Sequence, residues 1–172
     1  KKYIEDGSIK KGSVLIEKNW IYLNCLQVIK VFMTFNIKGE SDSLQRFKLV
    51  AKSIKKRGVL SDETKLALAF AAYEARMWGE SQGYLDQIRF EEWDKRVLDL
   101  YQDISKKSQK INVPSNTYTL KDEPKWFCKI CNTKYEDWQF ICKGCGGVGE
   151  IIWPKSSENR KISGNLKNVL QN

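Results

Sequence analysis

The chain has 172 residues, 41% of them hydrophobic, and a formal net charge of +9, enough apolar content for a folded core in one or two domains. No apolar run reaches the roughly 20 residues of a membrane-spanning helix; the longest, Ile21 to Phe35, is interrupted by Asn24, Gln27 and Lys30. There is no signal-peptide pattern, and five cysteines, an odd number with four in two tight pairs, exclude a secreted disulfide framework.

In chain order, residues 1–12 read as a flexible polar terminus and residues 13–106 as a helical region. From Ser13, the residues Val14, Leu15 and Ile16 lead helically to Trp20. A second helix is expected from Ile21 to Phe35, with Leu23, Leu26, Ile29 and Phe32 or Met33 on one side. Asn36 to Asp42 reads as a turn, and Ser41 or Ser43 can cap the helix that follows. Leu44, Phe47, Val50 and Ile54 form its stripe, and Lys55-Lys56-Arg57-Gly58 closes it with positive charge and a glycine at the carbonyl end. Ser61-Asp62-Glu63 opens an alanine-rich helix, "TKLALAFAAYEARMW", whose small residues imply close approach of a neighbour. Gly79 marks the next turn. Tyr84, Leu85 and Ile88 then face inward from a short helix, and Trp93, Val97, Leu100 or Tyr101, and Ile104 from another. Glu91, Glu92, Asp94, Asp99 and Asp103 read as a solvated face of that last helix.

Short helices in series suggest either a helical-hairpin solenoid or an ordinary bundle. The 34-residue tetratricopeptide pattern can be tested with Trp78 at its seventeenth position. Leu68 and Ala69 then fall on the large and small positions of the first helix, and Ser81 and Leu85 on those of the second. Ala72 stands where an aromatic is usual, and Ile88 where alanine is usual. Residues 107–125, with Pro114 and Pro124, read as a linker, and residues 155–172 as a disordered tail. The expected class is mostly α: tetratricopeptide-like helical hairpins followed by a small metal-stabilised β ribbon over residues 126–154.

That ribbon rests on Cys128-x2-Cys131, ten residues, then Cys142-x2-Cys145. Each pair can fold as a knuckle with both sulfurs aimed at one ion. Two knuckles make a closed tetrahedral S4 site for zinc, with rubredoxin-type iron as the alternative. The chain has no histidine to make a mixed site. A unit of about 30 residues cannot build an adequate core alone, so the metal is expected to supply most of its folding energy. Tyr135, Trp138 and Phe140 suit a short hairpin and "VGEIIW" a closing strand. Trp126, Trp138 and Trp153 are many large rings for so small a core, so one or more is expected to pack on the helices. Cys25, alone in an apolar pattern, reads as a small buried hydrophobe.

Residues 1–60 are net +8 and residues 61–106 net −4, while residues 126–154 balance before four thiolates on a divalent ion add a formal −2. Phosphate binding needs positive surface, so the ribbon is a poor nucleic-acid reader. No phosphate loop or nucleophile elbow occurs, and the expectation is a non-enzyme with no small-molecule substrate. A rubredoxin-like redox module is the alternative reading of the ribbon.

"TKLALAFAAYEARMWGESQGYL", a linker, then "PKWFCKIC…WQFICKGCGGVGEIIW" together resemble the C-terminal half of HemY-type tetratricopeptide proteins, over roughly residues 14–154. These are membrane-anchored, heme-biosynthesis-associated proteins of proteobacteria. The match is closest to the form with a terminal cysteine ribbon. The resemblance implies a scaffold for protein partners on the cytoplasmic face of the inner membrane, anchored through N-terminal helices absent here. It implies no catalytic residues. The sequence departs from the pattern at "CKICN", where glycine often follows the second cysteine, and at "CKGC", where "CPxC" is common.

Overall fold

The computed structural model describes residues 9–34, 43–56, 60–108, 113 and 119–154. The chain divides into two compact units, Lys1–Glu123 and Pro124–Asn172. Among the described residues the first unit is helical and the second carries a three-stranded sheet. The expected turn at 36–42, the stop at Arg57-Gly58 and the tail lie outside the described residues.

The helices are α1 (Ile9–Leu23), α2 (Leu26–Thr34), α3 (Ser43–Lys55), α4 (Asp62–Glu74), α5 (Trp78–Leu85) and α6 (Lys95–Lys107), with a 3-10 turn at Phe90–Glu92. α1 packs on α3 and α2 on α4, each pairing skipping one helix. α4 also meets α3 and α5, and α5 meets α6. α4 therefore lies at the centre. Leu66, Ala67, Leu68, Ala69, Ala71 and Ala72 are all buried, which an alanine-rich helix permits because small side chains let neighbours approach from several sides. The Ser81 hydroxyl donates to the Ala69 carbonyl at 2.7 Å, which satisfies a buried polar group at the α4–α5 contact.

Several expected features moved. Ile9 to Gly12 are already helical. α1 runs through Ile21 and stops at Leu23, and the chain restarts at Leu26 because Glu63 reaches across from α4. Its carboxylate accepts the Leu26 amide at 2.7 Å, capping α2 from 37 residues away. Val14, Leu15 and Leu23 are exposed rather than inward; Gly12, Ser13, Ile16 and Trp20 form the buried face of α1. The turn after α4 is made by Arg76 at φ 59°, not by Gly79, which lies inside α5. The amides of Arg76 and Met77 bond back to Tyr73 and Ala72, closing a Schellman-type end around a residue with a side chain.

Asp94 is not part of a solvated face. It is buried and caps α6, accepting the amides of Arg96 at 2.9 Å and Val97 at 3.3 Å. Its carboxylate also meets the Arg96 guanidinium, which forks onto Glu63 at 2.8 and 3.1 Å. One arginine thus ties the starts of α2, α4 and α6 together. Arg46 is also buried and donates to the carbonyls of Phe32 and Met33 at the end of α2, where positive charge and donors are favoured. Within the expected linker, Val113 and Leu120 pack on the helical core, and the Lys121 amide bonds to the Trp93 carbonyl at 2.8 Å.

Candidate metal centre

The second unit is built from β1 (Trp126–Cys128), β2 (Lys134–Tyr135) and β3 (Ile151–Ile152), in the order β2-β1-β3 and antiparallel throughout. Its two knuckles repeat one backbone pattern at an offset of fourteen residues. The Cys128 amide donates to the Thr133 carbonyl and the Asn132 amide to the Cys128 carbonyl. Fourteen residues on, Cys142 donates to Gly147 and Gly146 to Cys142. The Phe127–Lys134 pairing of β1 with β2 recurs as the Ile141–Val148 bridge. Each knuckle needs a left-handed residue after its second cysteine: Gly146 at φ 73° in one and Asn132 at φ 59° in the other. The departure at "CKICN" is thereby accommodated, because asparagine is among the few residues with a side chain that visit this region readily.

All four sulfurs lie within 4.8 Å of one another. Cys131 and Cys142 are 3.5 Å apart, and Cys128 and Cys145 3.7 Å. Four sulfurs placed about 2.3 Å from a tetrahedral ion would stand about 3.8 Å from each other. The donor set and its spacing therefore fit a metal ion. The structure brings together every cysteine that the spacing singled out, and it leaves Cys25 apart, fully buried among the helices. No family profile, curated protein or solved structure matches this chain.

Hydrogen bonding perturbs three of these thiols. The Tyr135 hydroxyl, 3.1 Å from the Cys142 sulfur, pulls that thiol down to about 6, helped by the amides of Cys145 and Gly144. The Thr133 hydroxyl, 3.1 Å from Cys131, and the Thr133 amide draw Cys131 below its ordinary value. At Cys145 the Gly147 amide draws the thiol down, but Cys131, loss of solvent and the other two sulfurs push it up to about 12. The close sulfurs thus share protons unequally, with Cys142 drawn down and Cys145 pushed up.

Cys128 and Cys142 are buried, while Cys131 and Cys145 sit at the rim. Gly144 is required by contact: a β-carbon there would lie 2.6 Å from the Thr133 hydroxyl. The rings of Trp126 and Trp153 are both buried and meet edge to face at 5.1 Å. Trp138 is half exposed and donates its indole N–H to the Ile151 carbonyl at 3.1 Å. Spacing alone identified the ligands but not the hydroxyls beside them. A Thr two residues after Cys131 and a Tyr four residues after it are ordinary hairpin residues until the fold turns them toward sulfur.

Proposed function

We propose that this chain is a non-catalytic scaffold of tetratricopeptide-like hairpins with a zinc-clamped ribbon, binding protein partners at the bacterial inner membrane as the HemY-type resemblance implies. The observation that carries the reading is exposed apolar surface on both units. On α1, Val14, Leu15, Ile21 and Tyr22 are 48–74% exposed and share an arc of roughly 120° at 100° per residue. On the ribbon, Ile130, Trp138, Phe140, Ile141 and Val148 are 52–63% exposed. Clustered apolar surface of this kind marks interaction sites. The skip-one helix packing and the Ala69–Ser81 contact, at the small positions of the 34-residue frame, support the hairpin reading. Among the described residues no helix is long and apolar enough to cross a membrane, so anchoring would rest on other segments.

A rubredoxin-like electron carrier is the second reading, favoured by the exposed Cys131 and Cys145 at the rim of an S4 cluster. Elemental analysis of protein grown with both zinc and iron separates the two. Affinity capture from solubilised membranes with wild type, Leu15→Glu and Trp138→Ala then tests the scaffold. Partners lost with either variant support it. Stoichiometric iron with reversible reduction, or partners indifferent to both substitutions, overturns it.

A further inference from the structure

The two knuckles share a backbone but not their side-chain donors. Thr133 and Tyr135 belong to the first hairpin; their counterparts fourteen residues on are Gly147 and Gly149, which carry no donor. The Thr133 hydroxyl meets Cys131 and the Tyr135 hydroxyl meets Cys142, each at 3.1 Å. Among the described residues no hydroxyl reaches Cys128 or Cys145. The Tyr135 oxygen is held from the other side, accepting the Gly144 amide at 3.3 Å. Gly144 has no side chain, and any β-carbon there would displace Thr133. The glycine that lets the second knuckle close also keeps both hydroxyls near sulfur.

A sulfur bound to a metal has no proton, so the hydrogen between each oxygen and sulfur is then the hydroxyl's own. A donated O–H draws electron density from the thiolate and weakens its donation to the metal, and such outer partners tune both affinity and orientation. We propose that Thr133 and Tyr135 are positioning residues that divide the four ligands into two unequal pairs. Cys131 and Cys142 donate weakly and Cys128 and Cys145 strongly. The proposal rests on the cysteine cluster holding a metal. With iron in the site the same two bonds would raise its reduction potential, since hydrogen bonds to sulfur are among the features that set it.

Cobalt(II) in place of the native metal tests this, because its sulfur-to-metal charge-transfer band reports electron density on the ligands. The full chain is compared as wild type, Tyr135→Phe, Thr133→Val and Thr133→Ser. Loss of a hydroxyl should move the band to longer wavelength in the Phe and Val variants, because the freed sulfur is richer in electrons. Thr133→Ser keeps a hydroxyl and should keep the wild-type band. Should Tyr135→Phe fail to fold, the Val and Ser pair still decides the matter. Wild-type bands in the variants that lack a hydroxyl would overturn the proposal and leave the metal centre standing. A shift in Thr133→Ser equal to that in Thr133→Val would also overturn it, because the hydroxyl would then be irrelevant. A wild-type chain that takes up no cobalt would overturn the metal centre itself, and the proposal with it.

Discussion

Removing the metal should unfold the ribbon and leave the helical unit intact. The strands β1, β2 and β3 contain three, two and two residues, too little sheet to persist alone. Among the described residues of the unit, the large apolar side chains that are buried are Trp126, Ile151 and Trp153. At about 1.5–3 kcal/mol each they contribute about 5–9 kcal/mol, before the entropy of ordering the loops is subtracted. A structural S4 zinc contributes about 10–16 kcal/mol, equivalent to a dissociation constant of about 10⁻⁷ to 10⁻¹² M. The metal term is the larger one, so the ribbon without it should not fold. Amide-resolved NMR before and after chelation reads this directly. Signals of residues 126–153 should collapse to unfolded positions while those of α2 to α6 stay, and Cys128→Ser should reproduce the collapse without chelator. Ribbon amides that remain dispersed and protected after metal removal would refute the reasoning, since apolar packing would then suffice.

Glu63→Gln should destabilise the helical unit by about 1–3 kcal/mol, the range for charged hydrogen bonds, because the pair is partly buried and Asp94 still holds Arg96. Urea denaturation followed by far-ultraviolet circular dichroism measures it, and a loss below about 0.5 kcal/mol would mean that the arginine fork adds little. Arg76→Gly should stabilise by about 1 kcal/mol, because the residue sits at φ 59° and glycine adopts that conformation without strain. A lower denaturation midpoint would contradict this. Burial pushes the Cys25 thiol up to about 11 from an ordinary value near 9. The unfolded chain then loses this proton first as pH rises. The associated stability is complete below pH 9 and is lost between pH 9 and 11, about 2–3 kcal/mol in all. Cys25→Ala should show a smaller decline than wild type over that range; equal slopes would exclude the thiol as the cause.

What the sequence revealed depended on the reach of each interaction. The stripe of Phe47, Val50 and Ile54 is local, and all three are buried. The four cysteines were legible because ligand spacing is itself a short-range pattern. Ser61 was legible as the cap of α4, where its side chain accepts the Thr64 amide. Asp94 carried the same kind of signal, an acid just before a helix, but neighbouring acids made it look like part of a solvated face. The break at Asn24-Cys25 had no local sign, because the group that caps α2 is Glu63. Arg46 was equally silent: a basic residue in a polar helix turns inward only once the end of α2 is beside it. The outward placement of Val14 and Leu15 was hidden too, since α1 carries apolar residues on two faces and only packing on α3 selects the inner one.

The fourteen-residue repetition of the ribbon has a consequence for which halves of it can change. A β-carbon on Gly144 would strike Thr133, and one on Gly147 would lie 2.9 Å from Ile130. In the offset Gly144 answers to Ile130 and Gly147 to Thr133, so each bulky residue of the first hairpin occupies room vacated by a glycine of the second. The hairpins are thus shaped as a plug and a socket around the cysteine cluster, alike in backbone and opposite in surface. Doubling the first hairpin would jam the joint, and doubling the second would leave it hollow. Side chains of Ile130 and Thr133 can be exchanged for others that fit the room, while Gly144 and Gly147 are held to having none.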